Sequence, residues 1–246
     1  MKKIDLGINI DHIATLRNAR AEKDPSLLEM AFCVQDGGAD TITMHLREDR
    51  RHIKDDDIFS IKEHCKLPIN LEMALTKEML DIALKLHPKS VCIVPEKREE
   101  LTTEGGLNVK SNLKNLHEFI PLLIKNEIEV YLFVEADINI LKLCGDLKAS
   151  GVEVHTGTYA QNINNNIKRN FEIEKIKKAA EYCHENNLIF HAGHGLNYQN
   201  IEPLISIENL TEVNIGHSII ARSLKTGLTS AVREMKNIIE KHRGIL

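Results

Sequence analysis

No run in this 246-residue sequence approaches the ~18 consecutive apolar residues of a membrane-spanning helix, which excludes a helical integral membrane protein. The N-terminal Met1-Lys2-Lys3-Ile4-Asp5 passes directly into a strand pattern, with no signal-peptide apolar region. There is no basic excess either. The 32 Lys and Arg residues face 36 Asp and Glu, a formal net charge of −4, so no molecule-wide field favours nucleic acid or anionic membranes. Any positive patch must be local. The five cysteines (Cys33, Cys65, Cys92, Cys144 and Cys183) form no CxxC pair and show no metal-ligand spacing. An odd, dispersed set of this kind reads as reduced thiols that fill helices and strands as small hydrophobes. These absences lead to the expectation of a cytoplasmic protein without membrane or nucleic-acid partners.

What is present is an ordinary globular balance, 42% hydrophobic and 28% charged. Short β-like runs at 4–10, 40–46, 69–73, 90–94, 129–134, 152–156, 188–192 and 212–215 alternate with amphipathic segments. The helical segments include 25–37, 76–86, 113–126, 138–149, 172–187 and 228–242; in the last, Ala231, Met235, Ile238 and Ile239 share one stripe. Strands separated by helical crossovers pair in parallel. Eight such units in roughly 200–250 residues predict an α/β protein of the (β/α)8 TIM-barrel type, with room for extra short helices. No composition break marks a linker, so residues 1–246 are expected to form a single catalytic domain. An open, doubly wound sheet is the structural alternative.

The strands also alternate in chemistry. Leu6, Ile8 and Ile10 interleave with Gly7, Asn9 and Asp11; Ile42, Met44 and Leu46 interleave with Thr41, Thr43 and His45. Ile69, Leu71 and Met73 flank Asn70 and Glu72, Val152 and Val154 flank Glu153, and Val213 and Ile215 flank Asn214. Successive strand side chains point to opposite faces. Helices must cover the apolar face, which turns the polar face into the barrel. Most such barrels fill their centre with bulky aliphatics. Here the expectation is a polar-lined lumen, and each unpartnered polar group buried there would cost about 1–3 kcal/mol. The groups must therefore form a hydrogen-bonded network, hold water, or receive a polar ligand.

The candidate chemistry lies toward the strand C-termini. His45 and Glu72 end strands two and three and should be neighbours, a pairing suited to acid–base work or to a structural hydrogen bond. Glu153 and His155 share a face of strand six, where His155 could orient Glu153. After strand seven, His191-Ala192-Gly193-His194-Gly195 presents His194 between glycines that let a ligand approach the backbone; His191 reads as packing within the strand. Strand eight ends Asn214-Ile215-Gly216-His217-Ser218, with a helix expected from about Ile219. Loops seven and eight plus a helix N-terminus make the recurrent barrel phosphate site, with Gly195, Gly216 and His217 offering N–H donors. A second anion site is suggested by Asp11, His12, Arg17 and Arg20 after strand one and by Arg47, Arg50, Arg51 and His52 after strand two. Nearby acids, Glu48, Asp49, Asp55, Asp56 and Asp57, could instead neutralise this cluster. The long loop after strand four ends in Gly105-Gly106, which suits a hinged lid as well as a plain connection. No lysine projects from a strand end along a polar face, Lys97 being the nearest, which weakens a Schiff-base aldolase; no HxH or HExxH supports a metal.

Several blocks are similar to the pyridoxine 5′-phosphate synthase family of deoxyxylulose-5-phosphate-dependent vitamin B6 synthesis. They are Gly7-Ile8-Asn9-Ile10-Asp11-His12-Ile13-Ala14-Thr15-Leu16-Arg17-Asn18-Ala19-Arg20, then His45-Leu46-Arg47-Glu48-Asp49-Arg50-Arg51-His52-Ile53 and Asn70-Leu71-Glu72-Met73-Ala74. Val94-Pro95-Glu96-Lys97-Arg98, Thr102-Thr103-Glu104-Gly105-Gly106-Leu107, His155-Thr156-Gly157, Ala192-Gly193-His194-Gly195-Leu196 and Asn214-Ile215-Gly216-His217 complete the match along nearly the whole chain. The Asn-rich stretch 162–166 looks like drift in a loop.

The resemblance implies a ring-closing transferase that joins 1-deoxy-D-xylulose 5-phosphate to 3-amino-2-oxopropyl phosphate. The products would be pyridoxine 5′-phosphate, inorganic phosphate and water. It implies no cofactor, no metal and a homo-octamer. It makes His45, Glu72 and His194 the acid–base residues, with Glu153 supporting a transition state. Asn9, Arg20, Gly195, Gly216 and His217 would hold the aminoketone phosphate; Asp11, His12, Arg47, His52 and Thr102 would hold the deoxyxylulose phosphate. Two other readings stay open: a barrel isomerase or epimerase acting on one sugar phosphate, and a non-catalytic sugar-phosphate-binding barrel.

Overall fold

A computed structural model describes residues 3–96 and 105–245 of the chain. Eight parallel strands close into a barrel in sequence order: β1 (Asp5–Asn9), β2 (Thr41–His45), β3 (Ile69–Met73), β4 (Ser90–Ile93), β5 (Glu129–Val134), β6 (Gly151–His155), β7 (Ile189–Gly193) and β8 (Leu210–Ile215). Closure is made by β8 on β1, with Leu6 opposite Val213 and Ile8 opposite Ile215. The open sheet is thereby excluded.

The helical layer comprises α1 (Asp11–Ala19), α2 (Leu27–Asp36), α3 (Asp55–His64), α4 (Lys77–Leu86), α5 (Leu113–Lys125), α6 (Ile138–Asp146), α7 (Gly157–Gln161), α8 (Asn166–Glu185), α9 (Ile201–Ile205), α10 (His217–Thr226) and α11 (Leu228–Arg243). Side-chain caps fix several starts: Ser26 accepts from Glu29 N–H, Thr76 from Met79, Asp137 from Asn139 and Asn165 from Lys168. Residues 11–19 and 55–64, which are not among the helical segments named from sequence, are helices. The first turn of α3 is Asp55-Asp56-Asp57, three carboxylates favoured by the positive end of the helix dipole, while only Ile58 and Ile61 are buried. So short an apolar stripe is masked by the charge around it. No helix among the described residues is long and apolar enough to cross a membrane.

The outward strand face and the helices form the main core. Leu6, Ile8, Ile42, Met44, Leu71, Met73, Val91, Val130, Leu132, Val152, Val154, Ala192 and Val213 have no solvent exposure. Each large aliphatic enclosed this way contributes roughly 1.5–3 kcal/mol, and together these contacts hold the helices on the barrel. The inward face is as dry and chemically opposite, with Thr41, Thr43, Asn70, Ser90, Glu153, His191, Glu212 and Asn214 all buried. One sector departs from the expected polarity. On β4 and β5, Cys92, Tyr131 and Phe133 pack with Val94 into a small apolar cluster inside the barrel.

Candidate active site

Register places the chemical groups. His45 lies opposite Glu72 across β2 and β3, and its Nδ1 is 3.7 Å from Glu72 Oε2. Its closer partner is one to which the sequence reading gave no role: His45 Nε2 is 2.8 Å from Glu96 Oε1, just beyond β4. Glu96 Oε2 also accepts the Glu48 backbone N–H at 3.1 Å and lies 3.9 Å from Arg47 Nη2. Burial opposes ionisation of Glu96. The His45 hydrogen bond, His45's charge, the Glu48 N–H and Arg47 outweigh it and hold the carboxyl below its usual range. Its signal was present one residue past the proline that ends strand four.

Asp11 opens α1 rather than sitting in a loop. Its Oδ1 accepts the His45 backbone N–H at 2.9 Å and its Oδ2 the Asn9 side-chain amide at 3.0 Å; Asn9 reaches Glu72 Oε2 at 3.4 Å. Burial pushes both carboxyls up, Asp11 against the His45 N–H, and Glu72 with further help from Asp11 and Glu153. Asp11, His45 and Glu72 also place one potential metal-ligand atom each within 4.8 Å of one another. Asp11 is already engaged by Asn9 and by the backbone, so this trio reads first as a hydrogen-bonded acid–base cluster.

Glu153 projects from β6 into the lumen, where Oε2 accepts from Asn214 Nδ2 at 2.9 Å. Burial, then the negative charge of Glu212, raises it to about 8. His155 does not orient it. His155 Nδ1 lies 3.3 Å from Glu135 Oε1, and its ring packs against Phe133 and His194, with centroids 5.4 and 4.9 Å away. Glu135 Oε1 also accepts the Gly106 N–H at 2.8 Å, tying down the end of the loop after β4. Gly157 leaves room for these rings: a Cβ there would lie 2.5 Å from His155 Nε2 and 3.2 Å from His194 Cδ2. His194 follows β7 with φ +80°, a left-handed conformation stabilised by Thr156 Oγ1 donating to the His194 carbonyl at 2.7 Å. Burial and then neighbouring His155 lower its pKa, favouring the neutral ring. His191 is a packing residue as read, stacked on Tyr131 with centroids 4.2 Å apart.

Gly216 is the N-cap of α10, which begins at His217, two residues before the expected Ile219. The His217 ring meets His12 edge-on at 5.1 Å, and His12 meets His52 at 6.3 Å, so the two expected anion regions adjoin at His12. The arginines divide. Arg17 is bound by Asp57 through two contacts of 2.6 and 2.8 Å, Arg50 by Asp55 and Glu78, and Arg51 by Asp49. Arg47 keeps a buried Nε without a hydrogen bond among the described residues, a donor suited to an anion. Arg20, at the exposed C-cap of α1, is not in the wall of the central cavity, and Thr102 and Lys97 lie outside the described residues. The other expected residues meet around one space of about 580 Å³ at the C-terminal end of the lumen.

A parallel eight-stranded barrel whose acids and imidazoles face one C-terminal cavity belongs among the barrel enzymes of acid–base chemistry. Comparison with known proteins narrows this. The chain belongs to the family described as Pyridoxal phosphate biosynthesis protein PdxJ, whose pattern matches residues 6–241. It is 50% identical over 239 residues to pyridoxine 5′-phosphate synthase of Ehrlichia canis (strain Jake), covering 97% of this chain and 98% of that one. It is 48% identical over 236 residues to the enzyme of the same name from Magnetococcus marinus, covering 96% and 97%. The tryptophan synthase A-subunit of Pyrococcus furiosus superposes with a TM-score of 0.63 at 14% identity, covering 98% of each chain. Phosphoribosyl anthranilate isomerase of Thermus thermophilus gives 0.61 at 11% identity, covering 97% and 99%. At that identity only the fold is shared.

Proposed function

We propose that this chain is a pyridoxine 5′-phosphate synthase, condensing 1-deoxy-D-xylulose 5-phosphate with 3-amino-2-oxopropyl phosphate to pyridoxine 5′-phosphate, phosphate and water. The observation that carries the reading is the convergence of Glu72, His45, Glu153 and His194 on one cavity at the C-terminal end of the lumen. Neither Glu72 nor Glu153 has a Lys or Arg ion pair among the described residues. Burial and neighbouring negative charge raise both carboxyls above their ordinary range, which suits groups that hold and pass on protons.

In this reading the substrate amine attacks the sugar ketone, and Glu72 and His45 move the protons that release water. Glu96 and Asp11 hold His45 in place from the side chain and the backbone. Phosphate leaves the sugar half, and His194, poised as a neutral ring, assists the aldol-type closure while Glu153 steadies the transition state; loss of a second water then completes the aromatic ring. Asn9, Gly195, Gly216 and His217 hold one phosphate-bearing partner; Asp11, His12, Arg47 and His52 hold the other. Arg20 and Thr102 are assigned by family likeness alone. The substrate supplies its own amine, which fits the lack of a strand-end lysine.

Residues 1–246 act in this proposal as one domain of a cytoplasmic homo-octamer. Exposed apolar side chains such as Ile167, Phe171 and Leu224 offer surfaces for self-association, which native mass spectrometry would count. The decisive assay mixes both substrates with metal-free protein. Joint consumption with equimolar phosphate and a new pyridine absorbance is expected. Conversion of one sugar phosphate alone would establish the isomerase reading, and binding without turnover the non-catalytic one.

A further inference from the structure

Beneath the cavity the lumen holds a second acid that the proposed chemistry does not use. Glu212 sits on the inward face of β8 two residues before Asn214, and is 5% exposed. Thr41 Oγ1 donates to its Oε2 at 3.2 Å. Asn214 joins the two levels: its Nδ2 donates to Glu153 Oε2 at 2.9 Å, its Oδ1 accepts from Thr43 Oγ1 at 2.9 Å, and its amide also interacts with Glu212. Two glycines leave space for this arrangement. A Cβ on Gly193 would lie 2.0 Å from Glu153 Oε1, and one on Gly7 would lie 2.0 Å from Asn214 Oδ1 and 3.2 Å from Glu212 Oε1. Side chains at those positions would displace the acids.

No Lys or Arg among the described residues forms an ion pair with either acid. Among the described residues Glu153 faces Cys92 of β4 at 3.9 Å, Glu72 of β3, His191 opposite it on β7, and Asn214 and Glu212 of β8. Glu212 faces Asp5 of β1, Thr41 of β2, Tyr131 of β5 and His191, whose Nδ1 is 3.9 Å away; Lys89 acts on it from just before β4. His191 is no countercharge, because burial and then Lys89 hold it down at about 3, leaving it neutral. Two dry carboxyls that share an amide, with only the more distant Lys89 acting on one of them, cannot both ionise cheaply.

We propose that Glu212 is a positioning residue for the reaction: its carboxylate, one level below the cavity, keeps the proton on Glu153, so that Glu153 meets the reacting atoms as a hydrogen-bond donor. The role given to Glu153 rests on the function proposed above; the proton placement does not. Burial raises both acids, but Lys89, the Asn214 amide and the Thr41 hydroxyl favour the Glu212 carboxylate and hold it to about 7, while the Glu212 charge adds to burial at Glu153; Glu212 therefore ionises first and Glu153 keeps its proton.

Carbon-13 NMR of glutamate-labelled, ligand-free protein tests the placement without substrate. In the wild type, Glu153 should titrate above Glu212. A Glu153 titration in the ordinary carboxylate range overturns the proposal and needs no variant. Glu212→Gln, which keeps the shape and removes the charge, should lower the Glu153 midpoint by about one unit or more. The basic limb of the kcat profile should move with it. Glu212→Asp, which keeps the charge, should leave the midpoint nearer the wild type. An unchanged midpoint in the Gln variant, or equal shifts in both variants, refutes the proposal. Absence of pyridoxine 5′-phosphate formation by the wild type would sink the functional reading alone, since the carboxyl titrations stand apart from it.

Discussion

Leu71 and Glu72 are consecutive residues of β3, a few ångströms apart in the same dry structure, and they belong to two different machines. Leu71 points outward into the aliphatic layer with no solvent exposure; Glu72 points inward to His45 and Asn9. The outer face is held by burial, which is indifferent to protonation and tolerant of similar shapes. The inner face is held by directed hydrogen bonds among groups whose charge depends on their neighbours. One face sets stability and the other reactivity, and alternation of side chains keeps them apart.

The largest separation should come from the inner member. Glu72→Gln preserves volume and removes the exchangeable proton. Turnover should fall by about 10²–10⁴-fold, the usual worth of a positioned acid–base group. Binding of a phosphorylated ligand, followed by calorimetry, should persist, and the melting temperature should hold or rise because a buried acid has gone. Wild-type turnover would end the assignment of Glu72. Leu71→Ala, one residue away, should do the opposite. It leaves a cavity in the outer layer and should cost about 2–5 kcal/mol in urea unfolding. The kcat of the fraction that remains folded should change little, and a selective loss of kcat with intact stability would break the comparison.

The same alternation explains what the sequence reveals. Period-two patterning on β1, β2, β3, β6 and β8 exposes the polar lumen, and glycine-flanked His194 and Gly216-His217 mark the catalytic end. Contacts between residues distant in sequence stay hidden. Glu96 reaches His45 across a 51-residue separation, and Glu135 reaches His155 where a neighbouring-residue argument pointed to Glu153. Helices α1 and α3 escape notice because their buried stripes are short and their first turns acidic, so they resemble charged loops. The aromatic sector of β4 and β5 is missed for another reason: Cys92, Tyr131 and Phe133 are apolar on both counts of a hydropathy pattern, and only register shows that they face inward.

A smaller effect separates the faces by pH. Burial raises the folded-state pKa of Glu212 to about 7, above the roughly 4.3 of an unfolded chain. A raised acid contributes its stability in full below the unfolded value and loses it as pH rises through the folded one. Wild-type stability should therefore decline between about pH 4 and 7 from this group, and Glu212→Gln should be spared that decline. The variant should gain on the wild type by up to roughly 4 kcal/mol across the window, from the size of the gap. His191, lowered to about 3, acts in the opposite direction on acidification, and Glu153 should titrate lower in the variant, so the difference reads Glu212 together with its coupling to Glu153. Parallel pH curves would contradict the burial argument.

The smallest effect probes the lumen where no charge is involved. Thr43 Oγ1 donates to Asn214 Oδ1 at 2.9 Å and lies 3.5 Å from Asn70 Nδ2, well inside the barrel. Thr43→Val keeps the branched shape and strands the Asn214 acceptor, which should cost about 1–3 kcal/mol. The same replacement on the outer face, where hydrophobic shape alone counts, would be mild. Asn214 also holds Glu153, so a freed amide should loosen that carboxyl and lower kcat more than it raises KM. A Thr43→Val protein with unchanged stability would mean that the inner face tolerates substitution as the outer face does, and that the network is not what keeps the polar lumen folded.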